Sequence, residues 1–241
     1  VFLKGCSLRC IWCQNPESQS PSPELFFFTE KCTGCGRCVA ACPAHAVRLI
    51  EAKSVTDRDQ CKGSGNCVEV CPNEARSLMG KEMTAAEVFR SIKSDEVFYK
   101  RSSGGVTLTG GEPLFQPGFS ASILSLCQQS GIHTAIETCG YASWKTLKAV
   151  LQYADLVLYD LKHMDSKKHR EYTGVPNDLI LENVRKLHHE LRIPIWIRIP
   201  VVPGYNDSVQ NIREAAGFVA SELDKSVPVH LLAYHRLGES K

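Results

Sequence analysis

Ten of the twelve cysteines in this 241-residue chain fall into two short blocks, and this clustering constrains the fold more than any other feature. In the first block, Cys6, Cys10 and Cys13 have the spacing C-x3-C-x2-C. Three thiolates this close together can hold three corners of one cubane iron–sulfur cluster, whereas an ordinary four-iron cluster takes four cysteines. A three-ligand set leaves one iron open to a substrate, by the logic that gives a catalytic zinc its open position.

Two other interpretations of the first block fit its spacing poorly. A disulfide framework requires an oxidising compartment and room for the geometry of a bridge, which so short a stretch does not offer. A structural zinc site usually takes two CxxC-like pairs that are well separated in sequence. We therefore predict that Cys6, Cys10 and Cys13 hold a four-iron cluster with one open iron.

The second block follows a linker rich in Ser, Pro and Gln at residues 18–23. It contains the run C-x2-C-x2-C-x3-C-P, which ends at Pro43, and a similar run that ends at Pro72. The first run has the spacing of bacterial ferredoxins, and an offset of about 29 residues between the two runs indicates an internal duplication. Residues 24–79 therefore resemble a two-cluster ferredoxin.

This resemblance implies how the seven cysteines of the second block are shared. In such modules the fourth cysteine of each run serves the other cluster. The implied ligand sets are Cys32, Cys35, Cys38 and Cys71 for one cluster, and Cys42, Cys61 and Cys67 for the other. The position in register with Cys35 is Ser64, which departs from the ferredoxin pattern. The second site then holds a four-iron cluster with a serine or external ligand, holds a three-iron cluster, or is labile. A zinc or purely structural module is the remaining alternative.

Outside the second block, strand patterns and helix patterns alternate along the chain. The predicted strands are Val1–Lys4, Val106–Thr109, Thr134–Glu137, Leu156–Asp160, Ile195–Ile199 and Val229–Leu232. The predicted helices, in which apolar residues recur at helical spacing, are Thr84–Lys93, Gly118–Ser130, Ser143–Tyr153, Asn177–Glu190 and Ser208–Leu223. This alternation predicts βα units around a parallel sheet.

Polar residues and glycines collect directly after the predicted strands. They are Gly110, Gly111 and Glu112 after the second strand, Glu137 and Thr138 at the third, Asp160 and Lys162 at the fourth, Arg198 in the fifth and His235 after the sixth. In βα barrels the active site is built at the carboxyl ends of the strands. We therefore expect these residues and the first cysteine block to form one site.

Several sequence motifs indicate which family of proteins this chain resembles. They are FLKGCSLRCIWCQNPES, SSGGVTLTGGEPL, ETCG, DLKH, VVPGYND and YHRLG. Together with the ferredoxin-like insertion, these motifs resemble the radical S-adenosylmethionine (radical SAM) enzymes that activate glycyl radical enzymes, such as the pyruvate formate-lyase activating enzyme. The resemblance covers essentially the whole chain. It implies an α/β fold, a partial (βα)6 TIM-like barrel of residues 1–23 and 80–241, with a small α+β bacterial ferredoxin-like domain inserted at residues 24–79.

The resemblance also implies a reaction and its partners. The open iron binds the amino and carboxylate groups of S-adenosylmethionine, and one electron from the reduced cluster cleaves a C–S bond to give a 5′-deoxyadenosyl radical. This radical abstracts a hydrogen atom from a glycine of a partner glycyl radical enzyme, so the protein is an oxidoreductase. The expected electron source is a reductant such as flavodoxin or ferredoxin, the expected location is the cytoplasm, and no acid–base residue is implied.

For most of the candidate site residues, the position that each one matches in the family's motifs implies a role. Gly110 to Glu112 receive the amino group of the cofactor, with a plain tight turn as the alternative. Asn15 lies near the cofactor and the target glycine, while Lys162 and His235 face its anionic and ribose parts. Arg198 holds the carboxylate through a forked donor pair, or is a surface arginine at a strand end.

The remaining candidates have two open interpretations. Glu137, Thr138 and Asp160 match positions that hold a monovalent cation in relatives, and oxygen ligands suit a hard cation. A salt bridge with Lys162 explains the carboxylates equally well. The residues from Lys167 to Arg170 are interpreted as an exposed helix face, with a docking patch for the partner as the alternative.

Charge and composition exclude several other functions. The chain has 28 Lys and Arg against 26 Asp and Glu, which argues against a dedicated nucleic-acid or anionic-membrane binder. No apolar run is long enough to cross a bilayer. The chain begins without Met and stops without closure, so we expect both termini to be truncated.

Two alternative functions stay open at this point. One is a radical SAM enzyme that modifies a small molecule or RNA, and the other is a non-catalytic iron–sulfur electron carrier. Within the favoured function, the sequence does not select the target. Decarboxylases, diol dehydratases, choline lyase and formate-lyase-like enzymes are the candidates.

Overall fold

Two units make up the chain, a larger one of residues 1–19 and 83–236 and a smaller one of residues 20–82. The computed structural model describes residues 1–236. The strands are β1 (Phe2–Leu3), β2 (Glu24–Phe27), β3 (Val47–Ile50), β4 (Lys53–Thr56), β5 (Arg76–Met79), β6 (Gly105–Gly110), β7 (His133–Thr138), β8 (Leu156–Asp160), β9 (Ile195–Val201) and β10 (Val229–Ala233). The helices are α1 (Arg37–Ala40), α2 (Asn66–Glu69), α3 (Ala85–Lys93), α4 (Glu96–Ser102), α5 (Pro117–Gln129), α6 (Trp144–Leu151), α7 (Ser166–Thr173), α8 (Asp178–Lys186) and α9 (Val209–Phe218). Helices α8 and α9 each continue into a π-helical turn, Leu187–Leu191 and Val219–Leu223.

The larger unit is built on a sheet in which, over the described residues, six strands lie in the order β1-β6-β7-β8-β9-β10. Every neighbouring pair in this sheet is parallel. The carboxyl ends of all these strands therefore meet at one edge of the sheet. The predicted α/β fold with a parallel sheet is confirmed.

The core of the larger unit fixes the positions of these strand ends. Leu108, Ile136, Val157 and Ile197, one from each of four neighbouring strands, are fully buried in it. Burial of such a side chain contributes about 1.5–3 kcal/mol. Because the strands are held by this packing, the loops that follow them start from defined positions.

The predicted helices that correspond to α3 and α6 each start at a residue that caps them, and helix α4 lies outside the predicted ranges. Thr84 and Glu87 form a capping box at the start of α3, and the Ser143 hydroxyl accepts a hydrogen bond from a backbone N–H at the start of α6. Helix α4 was missed because Val97 and Phe98 are 56% and 65% exposed, so its apolar residues do not mark a buried face.

The smaller unit repeats its own structure after 29 residues. Strands β2 and β4, strands β3 and β5, and helices α1 and α2 are each separated by this offset. Strand β2 pairs antiparallel with β5, and β3 pairs antiparallel with β4. Gly36 and Gly65 precede α1 and α2 with φ of 74° and 82°, which favours glycine at both places. The duplication predicted from the cysteine spacing therefore extends to the backbone.

Candidate active site

A cavity in the larger unit opens at the carboxyl ends of the parallel strands. Its wall includes Thr109 from β6, Glu137 from β7, Asp160 from β8, Arg198 from β9 and Ala233 from β10. The three thiols of the first cysteine block line the same cavity. The sheet thus brings together residues that are far apart in the sequence.

The loop that carries Cys6, Cys10 and Cys13 is held by main-chain hydrogen bonds on two sides. Near its start, the backbone N–H of Gly5 donates to the Ser18 carbonyl at 2.8 Å. Further along, the N–H groups of Arg9 and Ile11 donate to the carbonyls of Thr173 and Tyr172, at 2.7 and 3.0 Å, at the end of α7. These bonds connect the loop to the segment after Cys13 and to the end of α7.

The three loop thiols fit a metal cluster rather than a disulfide framework. All three are free and none is fully buried by its neighbours. Burial raises the pKa of Cys6 to about 11 and also raises the pKa of Cys10. A thiol of this kind is protonated at neutral pH unless a positive charge is bound next to it, and metal binding releases that proton. Three thiols on one cavity wall are a suitable donor set for an iron–sulfur cluster.

Glu112 is almost completely buried and its carboxylate is fully engaged by the protein. It accepts hydrogen bonds from Leu114 N–H (3.0 Å), Thr138 Oγ1 (2.7 Å), Cys139 N–H (2.8 Å) and Cys139 Sγ (2.9 Å). Burial raises the pKa of Glu112 despite these donors. Glu112 therefore ties the loop after β6 to the loop after β7.

The two glycines before Glu112 are required by close backbone packing. Gly110 has a φ of 112°, and a Cβ there would lie 2.3 Å from the backbone nitrogen of Leu3. A Cβ on Gly111 would lie 2.3 Å from the carbonyl oxygen of Gly5, at the start of the cysteine loop. The turn therefore packs directly against the loop that carries the thiols.

Four charged side chains form one ion-pair network in the cavity. Arg198 Nη1 lies 2.6 Å from Glu137 Oε1, and Arg198 Nη2 lies 2.8 Å from Asp160 Oδ1. Lys162 Nζ lies 3.0 Å from Asp160 Oδ2. Burial alone raises the pKa of Asp160, but Lys162 and Arg198 outweigh it and lower this pKa, so the carboxylate stays charged. The four formal charges of the network balance.

The structure brings together all but one of the predicted cofactor-binding residues. The residues that line the cavity are Asn15, Gly110, Gly111, Glu112, Glu137, Thr138, Asp160, Lys162 and Arg198. His235 is exposed and is not among the lining residues, although its neighbour Tyr234 is. Leu237 and Gly238, which complete the YHRLG motif, lie outside the described residues.

Sequence reasoning missed some of the cavity wall. Trp12 lines it and packs against Tyr172 and Tyr205, with ring centroids 5.8 Å away in each case. Cys139 also lines it, beside Glu112. The position of Cys139 next to Thr138 was the available signal. The helix-face interpretation of Lys167 to Arg170 was incomplete, because His169 in that stretch is buried.

The seven cysteines of the smaller unit lie around one cavity and in one apolar cluster. Cys32, Cys35, Cys38 and Cys71 line one cavity, and Arg76 lines it with them. Cys42, Cys61 and Cys67 belong to an apolar cluster that includes Leu25, Ala46 and Val47, and Cys38 packs in this cluster as well. Ser64 is exposed. Among residues 1–236, no group of three or more His, Cys, Asp or Glu side chains is spaced to bind a single metal ion.

Within the described part of the chain, no helix combines the length and the apolar character needed to span a bilayer.

Comparisons with known proteins agree on one superfamily. The family model described as the radical SAM superfamily matches residues 1–216. The isethionate sulfite-lyase activating enzyme of Nitratidesulfovibrio vulgaris is 44% identical over 247 aligned positions, which cover 100% of this chain and 80% of that protein. The choline trimethylamine-lyase activating enzyme of Oleidesulfovibrio alaskensis is 43% identical, with 100% of this chain and 79% of that protein covered.

A solved structure gives the same indication. It is a domain of the pyruvate-formate lyase-activating enzyme from Bacteroides vulgatus, 44% identical, with a TM-score of 0.50. The match covers 55% of this chain and 81% of that domain.

Proposed function

The chain belongs to the radical SAM superfamily, and we propose that within it this protein is the activating enzyme of a glycyl radical enzyme. The relatives whose names describe such activating enzymes align with 100% of the chain at 40–44% identity. The observation that carries the proposal is the cavity itself. Its wall combines the three loop thiols with a balanced network of charged side chains, at the strand ends where βα folds build active sites.

The radical SAM family implies S-adenosylmethionine and one four-iron cluster as cofactors, and Cys6, Cys10 and Cys13 would hold the cluster. When bound, the cluster supplies the electron that cleaves S-adenosylmethionine to the 5′-deoxyadenosyl radical, which takes a hydrogen atom from a glycine of the partner. The protein residues bind and orient the reactants and exclude water. No acid–base residue is needed for this role.

The charged network suits a zwitterionic ligand. The methionine part of S-adenosylmethionine carries an ammonium and a carboxylate. Lys162 and Arg198 present positive charge to the cavity, while Glu137 and Asp160 present negative charge. In this proposal Arg198 binds the carboxylate, and Glu112 acts by holding the Gly110–Gly111 turn in place rather than by offering a free carboxylate.

Other assigned roles follow from position. Asn15, next to Cys13 on the cavity wall, would lie near the cofactor and the target glycine. His235 would contact the ribose, although it is exposed in this structure. For Glu137 and Asp160 we favour the ion-pair interpretation over a monovalent cation, because Arg198 and Lys162 already engage both carboxylates.

We propose that the smaller unit is a bacterial ferredoxin-like module that holds two auxiliary iron–sulfur clusters. Two features support it. The first is the 29-residue duplication of strands and helices. The second is the grouping of Cys71 with the cysteines of the first run in one cavity, which is the exchange of fourth ligands expected of two-cluster ferredoxins. The module would receive its electrons from a flavodoxin or ferredoxin, in the cytoplasm.

The activity can be tested directly with a glycyl radical enzyme as substrate. The reduced protein and S-adenosylmethionine are incubated anaerobically with a panel that includes an isethionate sulfite-lyase, a choline trimethylamine-lyase and a hydroxyproline dehydratase. We expect 5′-deoxyadenosine and, with the cognate partner, the doublet resonance of a glycyl radical. The panel is needed because the relatives that activate different partners are nearly equally similar to this chain.

The same assay separates the alternatives. A plain electron carrier would give no 5′-deoxyadenosine. A radical SAM enzyme that acts on a small molecule or RNA would give 5′-deoxyadenosine but no glycyl radical on any partner. Either result would refute the proposed function.

A further inference from the structure

The duplication in the smaller unit is accurate enough to serve as an internal control. His45 and Glu74, 29 residues apart, are both non-glycine residues with positive φ, 49° and 50°. The backbone N–H of Ala46 donates to Cys42 Sγ at 3.3 Å, and the N–H of Ala75 donates to Cys71 Sγ at the same distance. Because the two backbones correspond so closely, side chains at equivalent positions can be compared directly. A buried side chain that differs in charge between the two halves indicates a functional difference between them.

One such difference places a cation in the interior. Arg76 at the start of β5 occupies the position that Val47 has at the start of β3, and both side chains are buried, at 2% and 4% exposure. Arg76 Nη1 donates to Thr56 Oγ1 at 2.9 Å, and Arg76 Nη2 donates to Ser54 Oγ.

The partners of Arg76 are themselves specific to one half of the duplication. In the other half, the positions of Ser54 and Thr56 are occupied by Leu25 and Phe27. Three positions therefore differ together, and they give one guanidinium two hydroxyl acceptors, while the ring of Phe27 lies over it with its centroid 5.2 Å from the guanidinium carbon. A buried cation destabilises the fold unless it is hydrogen-bonded and paired. The combination of these three side chains therefore indicates a role for the cation.

The guanidinium has hydrogen bonds but lacks a counter-ion among the described residues. No carboxylate forms an ion pair with Arg76 there. Its Nε is buried without a hydrogen-bond partner. The nearby groups that become anionic when they bind a cluster are the cysteines. Arg76 lines the cavity of Cys32 and its three partners, and Nη1 lies 3.8 Å from Cys67 Sγ, a residue of the other group.

We propose that Arg76 is a positioning residue that serves as the buried counter-ion of the two auxiliary clusters and makes their reduction potentials unequal. The inference rests on the proposed role of the smaller unit as a two-cluster module. A four-iron cluster on thiolates carries net negative charge, and reduction adds another electron. A cation held in a low-dielectric interior stabilises the reduced state and so raises the potential. The charge acts on both clusters, whereas the hydrogen bond to sulfur acts only on the cluster of Cys42, Cys61 and Cys67.

The test is a redox titration of the auxiliary clusters followed by electron paramagnetic resonance. The full chain is used with Cys6, Cys10 and Cys13 replaced by Ala, so that the loop site gives no signal, and iron and sulfide are restored anaerobically. Arg76→Gln removes the charge, and Arg76→Lys keeps it. Arg48→Gln, at an exposed position on β3, is the matched control for loss of one positive charge.

At the midpoint potential of the parent protein, we expect Arg76→Gln to lower the ratio of reduced to oxidised cluster at least tenfold for the cluster held by Cys67. This ratio corresponds to 59 mV for a one-electron couple. The reduction potential of the other cluster should shift in the same direction but by a smaller amount. Arg76→Lys should shift both reduction potentials by less than half as much as Arg76→Gln does. Arg48→Gln should leave both potentials unchanged.

The outcomes separate this inference from the function on which it rests. Unchanged potentials in Arg76→Gln at normal iron content would overturn the inference alone, as would equal shifts in the Gln and Lys variants. If Arg76→Gln cannot be loaded, Arg76→Met is measured in its place. If neither loads but Arg76→Lys does, a counter-ion role is supported. Failure of all three would make Arg76 a folding residue and overturn it. A parent protein without any auxiliary cluster signal would instead refute the two-cluster module.

Discussion

The two cysteine regions of this protein differ in what surrounds their thiols. Around Cys6, Cys10 and Cys13 the cavity wall carries charged side chains, and Lys162 and Arg198 are paired there with carboxylates. In the smaller unit Cys38, Cys42 and Cys67 pack with aliphatic residues, and Arg76 Nη1 lies 3.8 Å from Cys67 Sγ. One region is arranged to bind a polar molecule beside its thiols, and the other buries Cys38, Cys42 and Cys67 while Cys35 stays exposed.

This difference indicates a division of labour that cysteine spacing alone does not establish. A charged, half-open wall can bind and orient a zwitterionic substrate at a metal. An apolar shell instead controls solvent access and the potential of a cluster. The comparison therefore predicts that changes in one region should leave the measurable property of the other intact.

The largest expected effect is the loss of the reaction on replacing one loop cysteine. Cys10→Ala should abolish 5′-deoxyadenosine formation, because two thiolates cannot hold a cubane with one open iron. The smaller unit should keep its iron and its spectrum, since it uses separate ligands. Iron analysis and product chromatography measure both.

A matched control for this experiment is Cys127→Ala. Cys127 is a fully buried core residue outside both cysteine groups, so its replacement should cost some stability but leave the reaction intact. Formation of 5′-deoxyadenosine by Cys10→Ala would contradict the assignment of the loop.

Much of the site could be predicted from sequence because its geometry follows from topology. Parallel strands end at one edge, so Glu137, Asp160 and Arg198 had to meet there once the βα pattern was recognised. The same pattern placed the six predicted strands, since buried strands are marked by β-branched and aliphatic runs.

Other features were beyond the sequence because they depend on which atoms pair. The four donors to Glu112 come from three residues, and no spacing rule predicts them. The buried position of Arg76 depends on Ser54 and Thr56 across the strands, while a charged residue in isolation is expected to be exposed. Helix α4 lacks the buried apolar face that a periodicity test requires.

The next largest effect concerns the charged wall. Arg198→Lys should weaken S-adenosylmethionine binding by about 1–3 kcal/mol, the range for a charged hydrogen bond, because a forked donor becomes a point charge. That is roughly a 5- to 150-fold rise in the dissociation constant. Arg185→Lys is the control, since Arg185 pairs with Glu222 at the surface. Equal affinities in Arg198→Lys and the wild type would remove Arg198 from the binding site.

A smaller and local effect is expected at Ser64. If the site of Cys42, Cys61 and Cys67 lacks one thiolate, Ser64→Cys should supply it and raise iron retention in air. Gly63 and Gly65 keep the positive φ that Gly34 and Gly36 have, so the new thiol would occupy the place of Cys35. Resonance spectra of both proteins give the measurement. Two identical cluster signals in the wild type, unaltered by the substitution, would show that Ser64 is only a loop residue. Binding of S-adenosylmethionine in the larger unit should not change.

The smallest expected effect is a pH dependence confined to the larger unit. His169 is 1% exposed in α7, and its Nδ1 lies 2.6 Å from the Val175 carbonyl and 3.0 Å from Thr173 Oγ1. The carbonyl of Thr173 in turn accepts the hydrogen bond from Arg9 N–H that holds the cysteine loop. Burial is the largest cause that lowers the pKa of His169 below its ordinary value of 6.5.

Because the folded protein binds this proton less readily than the unfolded chain, the stability contributed by neutral His169 is present above pH 6.5 and is lost as the pH falls below it. The melting temperature of the larger unit should therefore fall by a few degrees more between pH 7.5 and 5.5 in the wild type than in His169→Asn, whose side chain cannot titrate. Other groups that titrate in this range, including His163, are common to both proteins and cancel in the comparison. In the smaller unit His45 is exposed, and the iron content of that unit should change equally in both proteins. If the melting temperatures of the two proteins depend on pH in the same way, neutral His169 does not stabilise the segment that holds the cysteine loop.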